Sequence, residues 1–121
     1  MANEEITKIL NAAARLLVKN QSVNILFEQD VVKIKLPTTR DLAKDLNTPH
    51  YYILPGFSLM EKNKLIKREE RVGIWTTNEG TRILLSLLKD NYVEETKNIL
   101  GEKLFTALTE KINTGLSKDM D

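Results

Sequence analysis

Residues 36–77 read LPTTRDLAKDLNTPHYYILPGFSLMEKNKLIKREERVGIWTT, and the order of breakers and apolar positions in this stretch decides the fold. Pro37 stops a preceding strand, Thr38 or Thr39 can cap a helix, and Leu42, Ala43 and Leu46 supply that helix with a buried face. Asn47, Thr48 and Pro49 end it, because Asn tolerates the left-handed region and a residue before Pro is pushed out of the α region. Past this turn Ile53, Phe57 and Met60 recur at helical spacing, so a second helix is expected to pack on the first until Asn63 and Lys64 end it. The period then changes to that of strands. Ile66 and Arg68 alternate, as do Val72, Ile74 and Thr76, with Glu69, Glu70 and Arg71 at the bend and Gly73 permitting a sharp twist.

Pro55-Gly56 complicates the second helix, since an interior Pro costs ~3 kcal/mol and Gly ~1 kcal/mol relative to Ala. Two starts are therefore open, one near His50 and one at Pro55, where Pro suits a first turn.

Upstream, Asn3 can cap a helix with Glu4 and Glu5 in its first turn, and Ile6, Ile9, Leu10, Ala13, Leu16 and Leu17 form one apolar stripe to about Lys19. Val31 to Lys35 reads as a strand that pairs with the later hairpin in a three-stranded sheet; Val23, Ile25 and Phe27 alternate as a hairpin partner would, while Leu26 between them also allows a short helix. Downstream, Thr76-Thr77-Asn78-Glu79 has capping-box spacing ahead of Ile83, Leu84, Leu87 and Leu88, and Asn91 can cap the next helix. Tyr92, Val93, Ile99, Leu104, Phe105, Leu108 and Ile112 continue an apolar face until Asn113 to Gly115. The fold class expected is mainly α with a small β-sheet, a single domain over 1–121. Residues 1–30 hold the N-terminal helix and connection, 31–77 the central unit, and 78–121 helices whose surplus apolar face suits a homodimer interface.

The chain is 121 residues long, 41% apolar and free of cysteine, which suits one globular domain and excludes disulfides and thiolate zinc sites. Glu4 and Glu5 replace the positive charge of a signal peptide, and no apolar run approaches the ~20 residues that span a bilayer, so a cytoplasmic protein without membrane contact is expected. The net charge is only +1, yet residues 33–77 hold nine Lys or Arg against five Asp or Glu while both flanks are acidic. Such a segment suits phosphate contacts. Catalysis finds little support. His50 is the single histidine, no glycine-rich phosphate loop exists, and neither a metal nor a cofactor is expected. Trp75 and Phe57 read as core residues.

Leu36-Pro37-Thr38-Thr39-Arg40-Asp41-Leu42-Ala43 resembles the Leu-Pro-Ser-x-Arg-x-Leu-Ala pattern of GntR-type repressors. Met60-Glu61-Lys62-Asn63-Lys64-Leu65-Ile66 resembles their Leu-Glu-x-x-Gly-Leu-Ile run before the wing, with Asn63 and Lys64 in place of the usual turn residues. The resemblance implies a winged helix-turn-helix with extra N- and C-terminal helices, and double-stranded DNA as partner. It carries DNA contact to Arg40, His50, Tyr51 and Tyr52, although Pro49-His50-Tyr51-Tyr52 stands where the family has a Ser-Arg-Thr-Thr-like run. Thr38, Thr39, Lys44 and Ser58 complete the groove-facing candidates, and Lys62, Lys64, Lys67, Arg68 and Arg71 are expected to hold phosphates or the adjacent minor groove.

The expected function is a dimeric, sequence-specific DNA-binding protein that regulates transcription. A weaker, architectural similarity to the centromere-binding adaptors of tubulin-type plasmid and phage partition systems implies a filament-forming protein partner instead. A third reading is a winged helix used for protein contacts, with His50, Tyr51, Tyr52 and Phe57 as an exposed aromatic patch.

Overall fold

The structure is a computed structural model and describes residues 4–114. Helix α1 (Glu4–Lys19) buries Ile6, Ile9, Leu10, Ala13, Leu16 and Leu17, the stripe expected of it, and carries Glu4 and Glu5 where the helix dipole favours them. The Asn3 cap lies outside the described residues. Hairpin β1 (Ile25–Glu28) and β2 (Val31–Ile34) follows, then α2 (Thr39–Asp45) and α3 (His50–Lys62), then hairpin β3 (Ile66–Glu69) and β4 (Gly73–Thr76). Three helices complete the described chain, α4 (Asn78–Asn91), α5 (Val93–Leu100) and α6 (Glu102–Thr114).

The core lies between α1, α2, α3, β2 and α4, where Ile9, Leu10, Val32, Ile34, Leu42, Phe57, Met60, Leu84 and Leu88 are buried. Thr38 rather than Thr39 caps α2, its hydroxyl accepting from the Asp41 N–H at 3.1 Å. Helix α3 begins at His50, so the alternative start at Pro55 is not taken. Burying Ile53, Phe57 and Met60, at roughly 1.5–3 kcal/mol each, outweighs the ~3 kcal/mol an interior Pro costs. Gly56 has its own reason to be there: a Cβ at this position would overlap the Ile9 side chain, so the absent side chain lets α1 approach α3.

The three-stranded sheet expected from residues 31–35 does not form. The structure has two separate two-stranded antiparallel sheets, linked by one bridge between Lys35 and Trp75 and by the Leu36 N–H to the Ile74 carbonyl at 2.9 Å. The reason is that side chains take the place of a third strand along the outer edge of β2. Val32 N–H donates to Asn78 Oδ1 at 2.9 Å, Ile34 N–H donates to Thr76 Oγ1 at 2.8 Å, and Thr81 Oγ1 donates to the Val32 carbonyl at 2.6 Å. Asn78 Nδ2 also donates to the Asp30 carbonyl at 2.8 Å. With Thr76, Asn78 and Thr81 all buried, this polar seam is closed off from water and joins β2 to the start of α4.

Three smaller expectations are also corrected. Thr77, not Thr76, caps α4 and accepts from the Gly80 N–H at 3.1 Å, because the hydroxyl of Thr76 is held in the seam. Asn91 ends α4 instead of capping the next helix, and Tyr92 takes the junction. The apolar face beyond Val93 is broken at Gly101, whose φ of 85° suits glycine, so α5 and α6 are separate. Phe105 and Leu108 of α6 are buried within the chain, whereas Leu104 is exposed. No helix among the described residues is long and apolar enough to cross a membrane.

Candidate nucleic-acid interface

Helices α2 and α3 meet through a turn in which Asn47 adopts a φ of 55°, the left-handed geometry expected of it. Across this turn the Thr39 hydroxyl and His50 Nε2 are hydrogen-bonded at 2.7 Å, which ties the start of α2 to the start of α3. Thr38 is engaged as a cap and His50 is half-buried, so these candidates hold the two helix ends in place. Arg40 and Lys44, one turn apart, point from the exposed side of α2. At the opposite end of α2, Asp45 accepts from Arg15 of α1 at 2.5 and 3.0 Å, and this hydrogen bond raises the guanidinium pKa.

On α3 the buried positions Ile53, Gly56, Phe57 and Met60 define one face. Tyr51, Pro55, Ser58 and Lys62 follow at helical intervals on the opposite one, and all four are exposed. Tyr51 and Tyr52 are 63% and 61% exposed, with ring centroids 4.8 Å apart and planes tilted by 57°. Phenol rings held against each other this way present both apolar edge and hydroxyl to a ligand. Phe57 is fully buried, and with His50 half-buried the proposed aromatic patch of four shrinks to the two tyrosines. Tyr52 also borders a shallow groove shared with Glu5, Lys8, Thr48 and Pro55.

The second hairpin is pinned to α3. Arg68 Nε lies 3.3 Å from Glu61 Oε1, and its Nη2 reaches the Ser58 hydroxyl at 3.4 Å, so both Arg68 and Ser58 are turned toward each other. Arg68 is thus a brace between strand and helix, its charge balanced locally. Lys62, Lys64, Lys67 and Arg71 are exposed and carry no ion pair among the described residues. Lys64 and Arg71 both have positive φ, 62° and 67°, Lys64 in the turn after α3 and Arg71 in the turn between β3 and β4.

Lys35 joins this group although reading the sequence left it out. It pairs with Trp75, which pairs in turn with Lys67, so the three lie side by side across adjacent strands, and the Lys35 side chain covers Gly73. Its signal was present: a strand expected to meet the hairpin brings its last residue to that face. Trp75 is half-buried rather than core, with Nε1 shielded from water and unpartnered among the described residues.

The candidates therefore gather on one continuous run of elements. Arg40 and Lys44 are on α2, a tyrosine pair opens α3, Lys62 and Lys64 close it, and Lys35, Lys67 and Arg71 ride on the second hairpin and its neighbour. Comparison with family models, curated proteins and solved structures gave no match to this chain.

Proposed function

We propose that this chain binds duplex DNA through α2, α3 and the β3–β4 hairpin, as a winged helix-turn-helix protein that regulates transcription by occupying its site. The observation that carries the reading is the uncovered face of α3. Tyr51, Pro55 and Lys62 line it, and exposed cations without ion pairs sit on the elements before and after it. A helix of 13 residues with one face free fits the major groove, and a two-stranded hairpin that exposes Lys67 on its strand and Arg71 in its turn fits the adjacent backbone.

In this arrangement Arg40, Tyr51 and Tyr52 approach base edges, while Lys44, Lys62, Lys64, Lys67 and Arg71 hold phosphates. Thr38, Thr39, His50 and Arg68 position those groups without supplying contacts of their own. A partition adaptor would use the same DNA surface with a different output. The protein-contact reading is weakened by the loss of Phe57 and His50 from its patch.

Fluorescence anisotropy of the full chain against labelled genomic duplex fragments at two salt concentrations tests the proposal. With five cations on phosphates, affinity should fall roughly 500-fold between about 50 and 200 mM salt. Undetectable or salt-insensitive binding would overturn it.

A further inference from the structure

Strand β1 has one hydrogen-bonded edge and one open edge, and the hydrogen bonds fix which residues face which way. The Lys35 N–H donates to the Asn24 carbonyl at 3.0 Å, while Val32 and Ile34 turn their N–H groups away from β1 toward Asn78 and Thr76. Antiparallel pairing alternates, so Asn24, Leu26 and Glu28 direct their backbone groups to β2, and Ile25 and Phe27 direct theirs outward. No described residue pairs with that outer edge. Leu26 and Phe27, on opposite faces of the strand, are 42% and 50% exposed, and Lys33 and Glu28 are engaged with each other at 3.2 Å, so no free charge guards the strand centre. Edges of this kind are ordinarily blunted by Lys, Pro or a bulge.

We propose that this edge pairs with the same edge of a second copy, antiparallel about a two-fold axis through Leu26. Only one register matches the apolar triplet to itself. Ile25 then lies opposite Phe27 of the second copy, Phe27 opposite its Ile25, and Leu26 opposite its Leu26. The two outward-facing residues of each strand fall opposite each other as hydrogen-bonded pairs, and Leu26 falls at the non-hydrogen-bonded pair, where side chains approach most closely. The charges agree as well: Glu28 meets Asn24 of the second copy, whereas shifting the pairing until Glu28 meets itself would set like charges opposite. Elsewhere, on the C-terminal helices whose apolar face suits a dimer, Phe105 and Leu108 are buried within the chain and Leu104 is exposed. A four-residue edge buries well under the ~1,200 Å² of a stable interface, so the dimer dissociates on dilution.

The inference does not depend on DNA binding, and its test contains no DNA. Sedimentation equilibrium of the full chain should show a concentration-dependent dimer. Because Leu26 faces itself across the axis, Leu26→Lys alone and Leu26→Glu alone should each weaken self-association by about tenfold or more, with far-ultraviolet circular dichroism unchanged. An equimolar mixture of the two should restore a dimer at least as tight as that of the unaltered chain. A chain that stays monomeric at millimolar concentration would overturn the proposal. So would single variants that associate as the unaltered chain does, or a mixture no tighter than its components.

Discussion

At Gln21, Asn47 and Lys64 the backbone takes φ values of 52°, 55° and 62° just after the ends of α1, α2 and α3. Each closes a Schellman turn, with the following N–H bonded back to Leu17, Ala43 and Met60 at 3.2, 3.0 and 2.9 Å. Asn tolerates this geometry, which is why the α2 ending was legible, and the α3 ending falls at Asn63 and Lys64 as expected; Gln21 carries no such signal, and neither Gln nor Lys favours the left-handed region. Gln21→Gly should therefore raise stability by about 0.5–1 kcal/mol, the relief of left-handed strain less the entropy glycine adds to the unfolded chain, as read by chemical denaturation. Under the proposed DNA binding, two exposed side chains separate readout from attraction. Arg71→Ala should weaken binding to all duplexes alike and lower the salt slope by about 1, whereas Tyr51→Ala should change sequence preference, by about fivefold between preferred and other sites. Equal losses across sequences in both variants would remove Tyr51 from base contact.

Elements here are joined by side chains standing in for backbone. The outer edge of β2 ends on Asn78, Thr76 and Thr81, and Gly80 brings the α4 backbone so close to the Leu65 carbonyl that a Cβ would overlap it. Asn78→Ala would leave the buried Val32 N–H without its acceptor and the Asp30 carbonyl without this donor, for a loss of about 2–3 kcal/mol in thermal or denaturant unfolding. A change below about 0.5 kcal/mol would mean that water replaces the amide. Periodicity found α1, α2, α3, β2 and the β3–β4 hairpin, because their apolar spacing is local information, and left β1 open between strand and helix. It missed the Gly101 break and misassigned the caps of α4 and α5. Thr76 and Thr77 both have capping chemistry, and what separates them is the distant N–H of Ile34 claiming one.

For the whole molecule, the proposals combine into one expectation about geometry. If β1 joins two copies and each offers one α3, a duplex with two half-sites engages both, and linkage raises affinity without any new contact. Leu26→Lys should then lower affinity for a two-site duplex by about tenfold or more while leaving a single half-site unaffected, measured by anisotropy on both probes. An equal effect on the two would separate dimerisation from DNA binding. What the sequence by itself determined is the order of elements from β2 to α4, the positive excess of residues 33–77 and the exposure of Tyr51 and Lys62, since these follow from neighbours a few residues apart. Only the tertiary structure decided that β2 ends on side chains and that Gly56 admits Ile9. It also decided that Thr39, His50 and Arg68 serve as braces and that Lys35 stands beside Trp75. Each of these depends on groups brought together from distant or turn-separated parts of the chain, and no local pattern encodes which polar group reaches its partner first.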